Sequence, residues 1–423
     1  MRVCVIGAGV VGLAAAWRLQ QEGHAVTVVD REGAGAGASG ANGAQLSYAY
    51  VEPLAGPSIW AQLPSLLLSR ESPLKLRPQW DVDQWRWGLS FLAACRGSVS
   101  RTGTARLLAL AAQSREAFER WLAQEGPAVD FARSGKLVIY RSETAFAHAR
   151  EQMALQMALG TRQSAVGPQE CIAIEPALDA ARGAIVGAIH TPGECVADCD
   201  KVCQALLQSL HRGGARIAFG AAAVDWVLHG QRAAALRMDN GEAIEADAFV
   251  VALGTGSPAL ARRLRLRLPV VPLKGYSITI GLDGAAAQAA PRVSVTDAAR
   301  KLVFARLGDR LRVAGMAELV GHDRRVDAHR IASLAANTRD LFPGAAGTQD
   351  IQSGWAGLRP ATPTGVPIVG AHPSGPANVL FDTGHGALGF TLAFGSAEQV
   401  TQQVRALSPA ALRSPAAPAP CSA

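Results

Sequence analysis

Gly7-Ala8-Gly9-Val10-Val11-Gly12 directly follows the apolar run Val3-Cys4-Val5-Ile6 and opens a helical stretch, Val10–Gln21. A second apolar run, Ala25–Asp30, closes the unit. Strand, glycine turn, helix and strand in that order predict a βαβ start. The glycines permit a tight turn and let backbone N–H groups approach a pyrophosphate at the helix N-terminus. Asp30 ends the second strand, where an acid should grip a ribose hydroxyl, with Arg31 beside it. The G-x-G-x-x-G pattern alone is weak. With both strands, the helix and the acid, it predicts a dinucleotide site of the Rossmann kind.

Working outward, residues 104–124 and 143–159 read as helices flanking a strand at Lys136–Tyr140. A second helix–strand series follows: a helix over Asp198–Arg212, then strands at Arg216–Phe219, Ala223–Leu228 and Ala248–Leu253, the last running into Gly254-Thr255-Gly256. Strand-like segments dominate from Val270 to Val320, and a motif-dense block runs from Gly354 to Ala397. Dinucleotide-type signals thus occur at the start, middle and end of the chain. That interleaving predicts an α/β protein with a discontinuous cofactor domain (1–56, 165–265 and 350–407) and a substrate domain built from the insertions (57–164 and 266–349). The proline- and alanine-rich tail, 408–423, reads as disordered.

Bulk properties exclude several classes. The chain has 423 residues, 49% of them hydrophobic and 18% charged, so a large core is expected and disorder is not. Lys and Arg total 41 against 34 Asp and Glu, a net +7. The local cluster Arg262, Arg263, Arg265 and Arg267 alternates with leucine rather than aromatics, unlike a nucleic-acid surface. Seven scattered cysteines do not make a disulfide scaffold. Cys195, Cys199 and Cys203 would share one helix face, but no second pair completes a zinc site, and no metal is expected. No leader pattern precedes the first strand, and nowhere do 18 apolar residues run together, so a cytoplasmic chain without a membrane span is expected.

A nicotinamide enzyme needs no second cofactor motif far along the chain. Here Asp382-Thr383-Gly384-His385-Gly386-Ala387-Leu388-Gly389-Phe390-Thr391 forms a second glycine-rich loop opening a late helix. A helix N-terminus aimed at a flavin would stabilise the anionic reduced ring, which favours FAD.

These pieces together resemble the D-amino acid oxidase superfamily of FAD-dependent oxidoreductases, and within it the small subunit of bacterial D-amino acid dehydrogenases. The segments that carry the resemblance are Val3–Gly12, Ala41-Asn42-Gly43-Ala44-Gln45-Leu46-Ser47, Pro272-Leu273-Lys274-Gly275-Tyr276-Ser277, Arg312–Glu318, Gly357-Leu358-Arg359-Pro360 and Thr383-Gly384-His385-Gly386. The resemblance implies a glutathione-reductase-type FAD domain and a substrate domain whose antiparallel sheet roofs the flavin. It also implies a cofactor site of Gly7, Gly9, Val10, Val11, Gly12, Asp30, Arg31, Ser39, Asn42, Gly43, Ala44, Gln45, Gly254, Gly384, His385, Gly386, Gly389 and Thr391. Arg359 should clamp the substrate carboxylate, since a guanidinium offers a bidentate fork. Tyr276 should add its hydroxyl or narrow the pocket, with Tyr48 and Tyr50 nearby. His385 belongs to the flavin loop, and no side-chain base is expected: in this family hydride passes from Cα of a neutral amine to flavin N5. The block around Arg359 holds no cysteine, so the FAD should be non-covalent. Three departures from the usual pattern sit near the flavin: Gly43-Ala44 where Ala-Gly is common, Tyr48, and Asp382 where Asn is common.

The function this implies is oxidative deamination of D-amino acids to 2-oxo acids and ammonia, with electrons passed to a quinone or another acceptor. Two alternatives stand beside it: an oxidase or dehydrogenase of cyclic or secondary amino acids such as hydroxyproline, sarcosine or glycine, and a flavin-binding subunit without turnover. The stretch 57–96 carries Trp60, Trp80, Trp85 and Trp87 among leucines and interspersed cations. That is the composition of a segment lying on a membrane, here the inner face of the cytoplasmic membrane, and equally of a lid or dimer surface.

Overall fold

The computed structural model describes residues 1–51, 55–56, 74–76, 80–345 and 351–407. The cofactor layer is a six-stranded sheet in the order Ile368–Ala371, Val379–Thr383, Ala248–Val251, Arg2–Ile6, Ala25–Asp30, Arg216–Phe219. Neighbours run parallel except the edge strand Ile368–Ala371. Its central strands read as continuous Val/Ile/Phe runs because helices or a ribbon cover both faces. On one face the helices Val10–Gln21, Cys199–Arg212 and Gly389–Ala406 share a core with Leu13, Leu206 and Phe394. On the other, the ribbon Ala223–His229, Arg232–Met238 and Ala243–Glu245 supplies Trp226 and Leu236. The first helix begins and ends where its sequence predicts, with Gly9 at the N-cap.

The second layer is a nine-stranded, largely antiparallel sheet. It runs Ile351–Ala361, Val271–Gly281, Arg310–Leu319, Leu302–Leu307, Ser294–Asp297, Lys136–Tyr140, Gly187–Thr191, Ser164–Val166, with Leu74–Leu76 beside Ala317–Leu319. This differs from boundaries drawn at 165 and 350. Gly187–Thr191 pairs with Lys136–Tyr140, and Ile351–Ala361 pairs along its length with Val271–Gly281, so their hydrogen bonds hold both in the second sheet. The chain crosses between layers more often than glycine signals alone reveal.

Two smaller differences concern helices and cysteines. The helix expected at 104–124 starts about two turns earlier, spanning Gly97–Glu125, and stops at Gly126 in the left-handed conformation. Cys195 lies on the strand Cys195–Val196, not on the helix with Cys199 and Cys203, because Asp198 caps that helix through Asp200 and Lys201 N–H. The predicted tail 408–423 lies outside the described residues. Among those described, no helix is long and apolar enough to cross a membrane and no side-chain cluster is arranged to hold a metal.

A Cβ on Gly12 would lie 2.0 Å from the Gly7 carbonyl oxygen, inside the turn itself. Gly12→Ala should therefore lower the stability of the apoprotein by about 1–3 kcal/mol in denaturant unfolding, and weaken cofactor retention by shifting the turn.

Candidate active site

The layers enclose a cavity of about 2130 Å³. That exceeds the roughly 300–1,000 Å³ of a site for one small ligand, and suits a dinucleotide with a second molecule beside it. At one end the turn Gly7–Val11 lines the wall. Ala8 N–H donates to Asp30 Oδ2 at 2.8 Å, and Glu32 and Gly33 N–H donate to Oδ1, so Asp30 welds the turn to the end of its strand. Val10 N–H donates to Ser39 Oγ at 3.0 Å. Gly9 brings no side chain to cap the helix, which leaves the positive end of the helix dipole open to an anion.

In the middle, Ala41–Gln45 crosses beneath the second sheet. Ser277 Oγ–H donates to Ala41 O, and Arg312 Nη1 donates to Asn42 O. Ala44 adopts φ +58°, held there by its N–H to Asn42 Oδ1 at 2.8 Å. A non-glycine residue in that conformation is strained, and such strain gathers at functional loops. Farther on, Glu194 accepts three successive N–H groups, from Tyr48, Ala49 and Tyr50. Lys136 Nζ donates to Gln45 Oε1 and Ser47 Oγ and lies 4.6 Å from the centre of the Tyr50 ring. Burial pushes this ammonium down to about 8, opposed by the charge of Glu194.

From the opposite wall comes the loop Asp382–Thr391, whose His385 backbone bridges Ala361. His385 Nε2 and Asp382 Oδ1 stand 3.4 Å apart, both side chains fully enclosed. Burial pushes the Asp382 carboxyl up to about 8 and the His385 imidazole down to about 3, so near neutrality the proton stays on the carboxyl. Ser396 reaches the Asp382 carboxyl, while among the described residues His385 Nε2 has no hydrogen bond of good geometry. Buried polar atoms of that kind, on the wall of a cavity, fit a polar ligand.

Arg359 sets another part of the wall. A bulge between the pairs Lys274–Glu318 and Tyr276–Gly315 puts Met316 at φ +63° and presents its carbonyl, which accepts from Arg359 Nη1 at 2.8 Å. A Cβ on Gly275 would lie 2.2 Å from Arg359 Nη2, so the guanidinium rests across bare backbone. Arg359 is enclosed, and burial pushes it down to about 10. Among the described residues no carboxylate pairs with it, leaving a buried cation in need of an anion.

Most of the expected site residues come together on this wall: Gly7, Gly9, Val10, Val11, Asp30, Arg31, Ser39, Asn42, Gly43, Ala44, Gln45, Tyr50, Gly254, Tyr276, Arg359, His385, Gly386, Gly389 and Thr391. Gly12 and Gly384 stand behind it, where added Cβ atoms would strike Gly7 and Thr362. Tyr48 is a correction. Its ring points into the first-layer core beneath the Arg115 guanidinium and is absent from the cavity wall, because the Glu194 cradle turns residues 48–50 and only Tyr50 faces inward. Tyr276 lines the cavity, but its hydroxyl donates to Glu318 Oε2 at 3.0 Å, and Arg330 holds that carboxylate. Its proton is therefore not free for a substrate carboxylate. Sequence reasoning missed Lys136, Glu194 and Glu318; a lysine opening the otherwise apolar run Lys136–Tyr140 was the available signal.

A family model described as FAD dependent oxidoreductase (DAO) matches residues 2–403. The chain belongs to this family. FAD is accordingly the dinucleotide that the turn, the open helix end and the unpartnered wall atoms accommodate. Two curated relatives are D-amino acid dehydrogenase 2 of Ralstonia nicotianae, 48% identical over 98% of this chain and 99% of the relative, and D-amino acid dehydrogenase 2 of Pseudomonas aeruginosa, 46% identical over 95% and 94%. Glycine oxidase from Geobacillus kaustophilus shares the fold with a TM-score of 0.75 at 21% identity, over 96% of this chain and 95% of that one. L-proline dehydrogenase from P. horikoshii does so at 0.71 and 15%, over 95% and 92%.

Two substitutions test this geometry. Gly275→Ala should displace the guanidinium and lower kcat/KM as Arg359→Met is expected to, with FAD content retained in both. Asp382→Asn tests the buried acid. With a folded value near 8 and an unfolded one near 4, the native state holds the extra proton in that window, so wild-type stability falls as pH rises through it. The melting temperature of wild type relative to Asp382→Asn should decline from pH 5 to 8 and level off above.

Proposed function

We propose that this chain is an FAD-dependent dehydrogenase that oxidises D-amino acids to 2-imino acids, which hydrolyse to 2-oxo acids and ammonia. The observation that carries the reading is Arg359, a buried guanidinium without a carboxylate partner on the wall that also holds the dinucleotide turn. The high identity to D-amino acid dehydrogenases along nearly the whole chain supports the same substrate class.

Bound FAD supplies acceptance of two electrons from the C–N bond. The protein's part is placement. Arg359 holds the carboxylate, the Met316 carbonyl fixes the guanidinium in turn, and the Tyr276 ring narrows the space beside it. No side chain on this wall is arranged as an obvious base, and orientation of Cα is what the site contributes. Gly7, Gly9, Val10 and Val11 would cradle the pyrophosphate and Asp30 stands at the ribose end, with Asn42–Gln45 and His385–Thr391 along the ring. Among the described residues no cysteine lines the cavity, which supports an FAD held without a cysteinyl bond.

Electrons pass onward to a quinone or another acceptor, and the protein docks on the inner face of the cytoplasmic membrane. Residues 57–79, apart from the short strand Leu74–Leu76, lie outside the described residues, Trp60 and Leu66–Leu68 among them. The helix Val82–Ala94 supports the reading by itself: Val82, Trp85 and Leu89 are widely exposed on its outer side, with Trp80 exposed just ahead of it, the stripe of an interfacial helix. Its inner side turns Trp87 and Phe91, stacked at 5.1 Å, toward the substrate sheet. Asp81 and Asp83 of the same element line the cavity.

Acid precipitation should release intact FAD into the supernatant; flavin in the pellet would show a covalent bond. Anaerobic D-alanine should bleach the flavin and L-alanine should not. Arg359→Met should cost about 2–5 kcal/mol in kcat/KM. Wild type should float with anionic liposomes, and the double variant Trp85→Ser, Leu89→Ser should not; wild type remaining at the bottom of the gradient would refute membrane docking.

A further inference from the structure

Trp355 and Arg359 stand on the same strand, Ile351–Ala361, with Gly357 midway between them. Alternate residues of a strand share a face, and all three line the cavity. On the neighbouring antiparallel strand, Trp355 is opposite Ser277, Gly357 opposite Gly275 and Arg359 opposite Leu273. The paired glycines leave a bare patch of backbone, and the two large side chains lie over it from either end. A Cβ on Gly357 would fall 1.9 Å from Trp355 Cη2, and one on Gly275 would fall 2.2 Å from Arg359 Nη2. Directly opposed Cβ positions in such a pair are about 4.5–5.5 Å apart. The benzene edge of the indole and the guanidinium are therefore neighbours, within the span of a single amino acid.

Ser277 Oγ–H donates to the Ala41 carbonyl, so the indole marks the end of the patch nearer the cofactor loop. Trp355 is half-buried. An aromatic ring on a cavity wall gains by being covered, because covering it removes apolar surface from water.

We propose that Trp355 selects the substrate side chain: a D-amino acid whose carboxylate sits on Arg359 lays an apolar side chain, aromatic or branched, against the indole over Gly357. The patch disfavours other classes. A cationic side chain would stand beside the Arg359 guanidinium, where like charges repel. A polar uncharged one would lose hydration against the ring. D-Phenylalanine and D-leucine represent the favoured class. The proposal rests on the D-amino acid reading above and goes further by naming the side-chain class and the residue that reads it.

The test mixes holoenzyme anaerobically with D-alanine, D-leucine, D-phenylalanine and D-lysine and follows loss of flavin absorbance. In wild type the second-order constants for D-phenylalanine and D-leucine should exceed that for D-alanine by about tenfold or more, with D-lysine below D-leucine. Trp355→Ala should bring the ratio of D-phenylalanine to D-alanine close to one, and Trp355→Phe should keep most of it. Gly357→Ala, which pushes the ring off the patch, should lower the ratio as well. Damage to folding or to flavin content slows both substrates and leaves the ratio alone. Calorimetry reads the same contact without turnover: 3-phenylpropionate, which is phenylalanine without its amine, should bind wild type at least about tenfold tighter than propionate. Trp355→Ala should abolish that difference; if this variant fails to fold, Trp355→Leu takes its place. A wild-type ratio near one overturns the proposal, as does a preference that survives the loss of the indole. Failure of every D-amino acid to bleach the flavin, with the calorimetric difference intact, overturns the D-amino acid reading and leaves the role of Trp355 standing.

Discussion

The hydrogen bond from Arg359 Nη1 to the Met316 carbonyl holds a positive charge, half-buried on the cavity wall, whose guanidinium the surrounding protein pushes down to about 10. Enclosing an unpaired cation is costly, and the surrounding features make it tolerable and useful. The bulge that turns Met316 into a left-handed conformation creates the acceptor. The bare backbone of Gly275 gives the guanidinium a flat surface to lie on. The bridge from Ala361 to His385 then ties the arginine's own strand to the cofactor loop. Arginine and flavin loop thereby stay in fixed relation, which is what a reaction governed by orientation requires.

A second organising charge is Glu194. Its carboxylate gathers three consecutive amides and so bends the chain after Leu46, sending Tyr48 one way and Tyr50 the other. Lys136 answers from the neighbouring strand by holding Gln45 and Ser47. The two groups make no direct contact among the described residues, yet each biases the other's proton. The strained Ala44 sits just ahead of this pair, and the surrounding bonds keep it there.

The βαβ start was legible because one short stretch carries strand, turn, helix and acid with fixed periods, and Val10–Gln21 and Ala25–Asp30 appear at the limits their residues imply. Arg359 was legible through its motif, and the cavity gathers it with the glycine turn. What the sequence hid depends on long-range pairing. Nothing local in Gly187–Thr191 says that it joins Lys136–Tyr140 rather than the cofactor sheet. Nothing in Tyr276 says that its proton goes to Glu318, 42 residues onward. Tyr48 and Tyr50 look equivalent in a string of residues and differ only once Glu194 has turned the backbone between them.

Trp87 donates from Nε1 to the carbonyl of Ala361 at 2.9 Å. That carbonyl lies on the strand that carries Arg359, while the helix bearing Trp87 presents Trp85 and Leu89 to the outside. The helix therefore behaves as a lever with one arm in the active site. A load on the outer face that displaced the helix would be felt at the arginine's strand through this one bond, and by reciprocity an anion that stiffened the strand would be felt at the outer face.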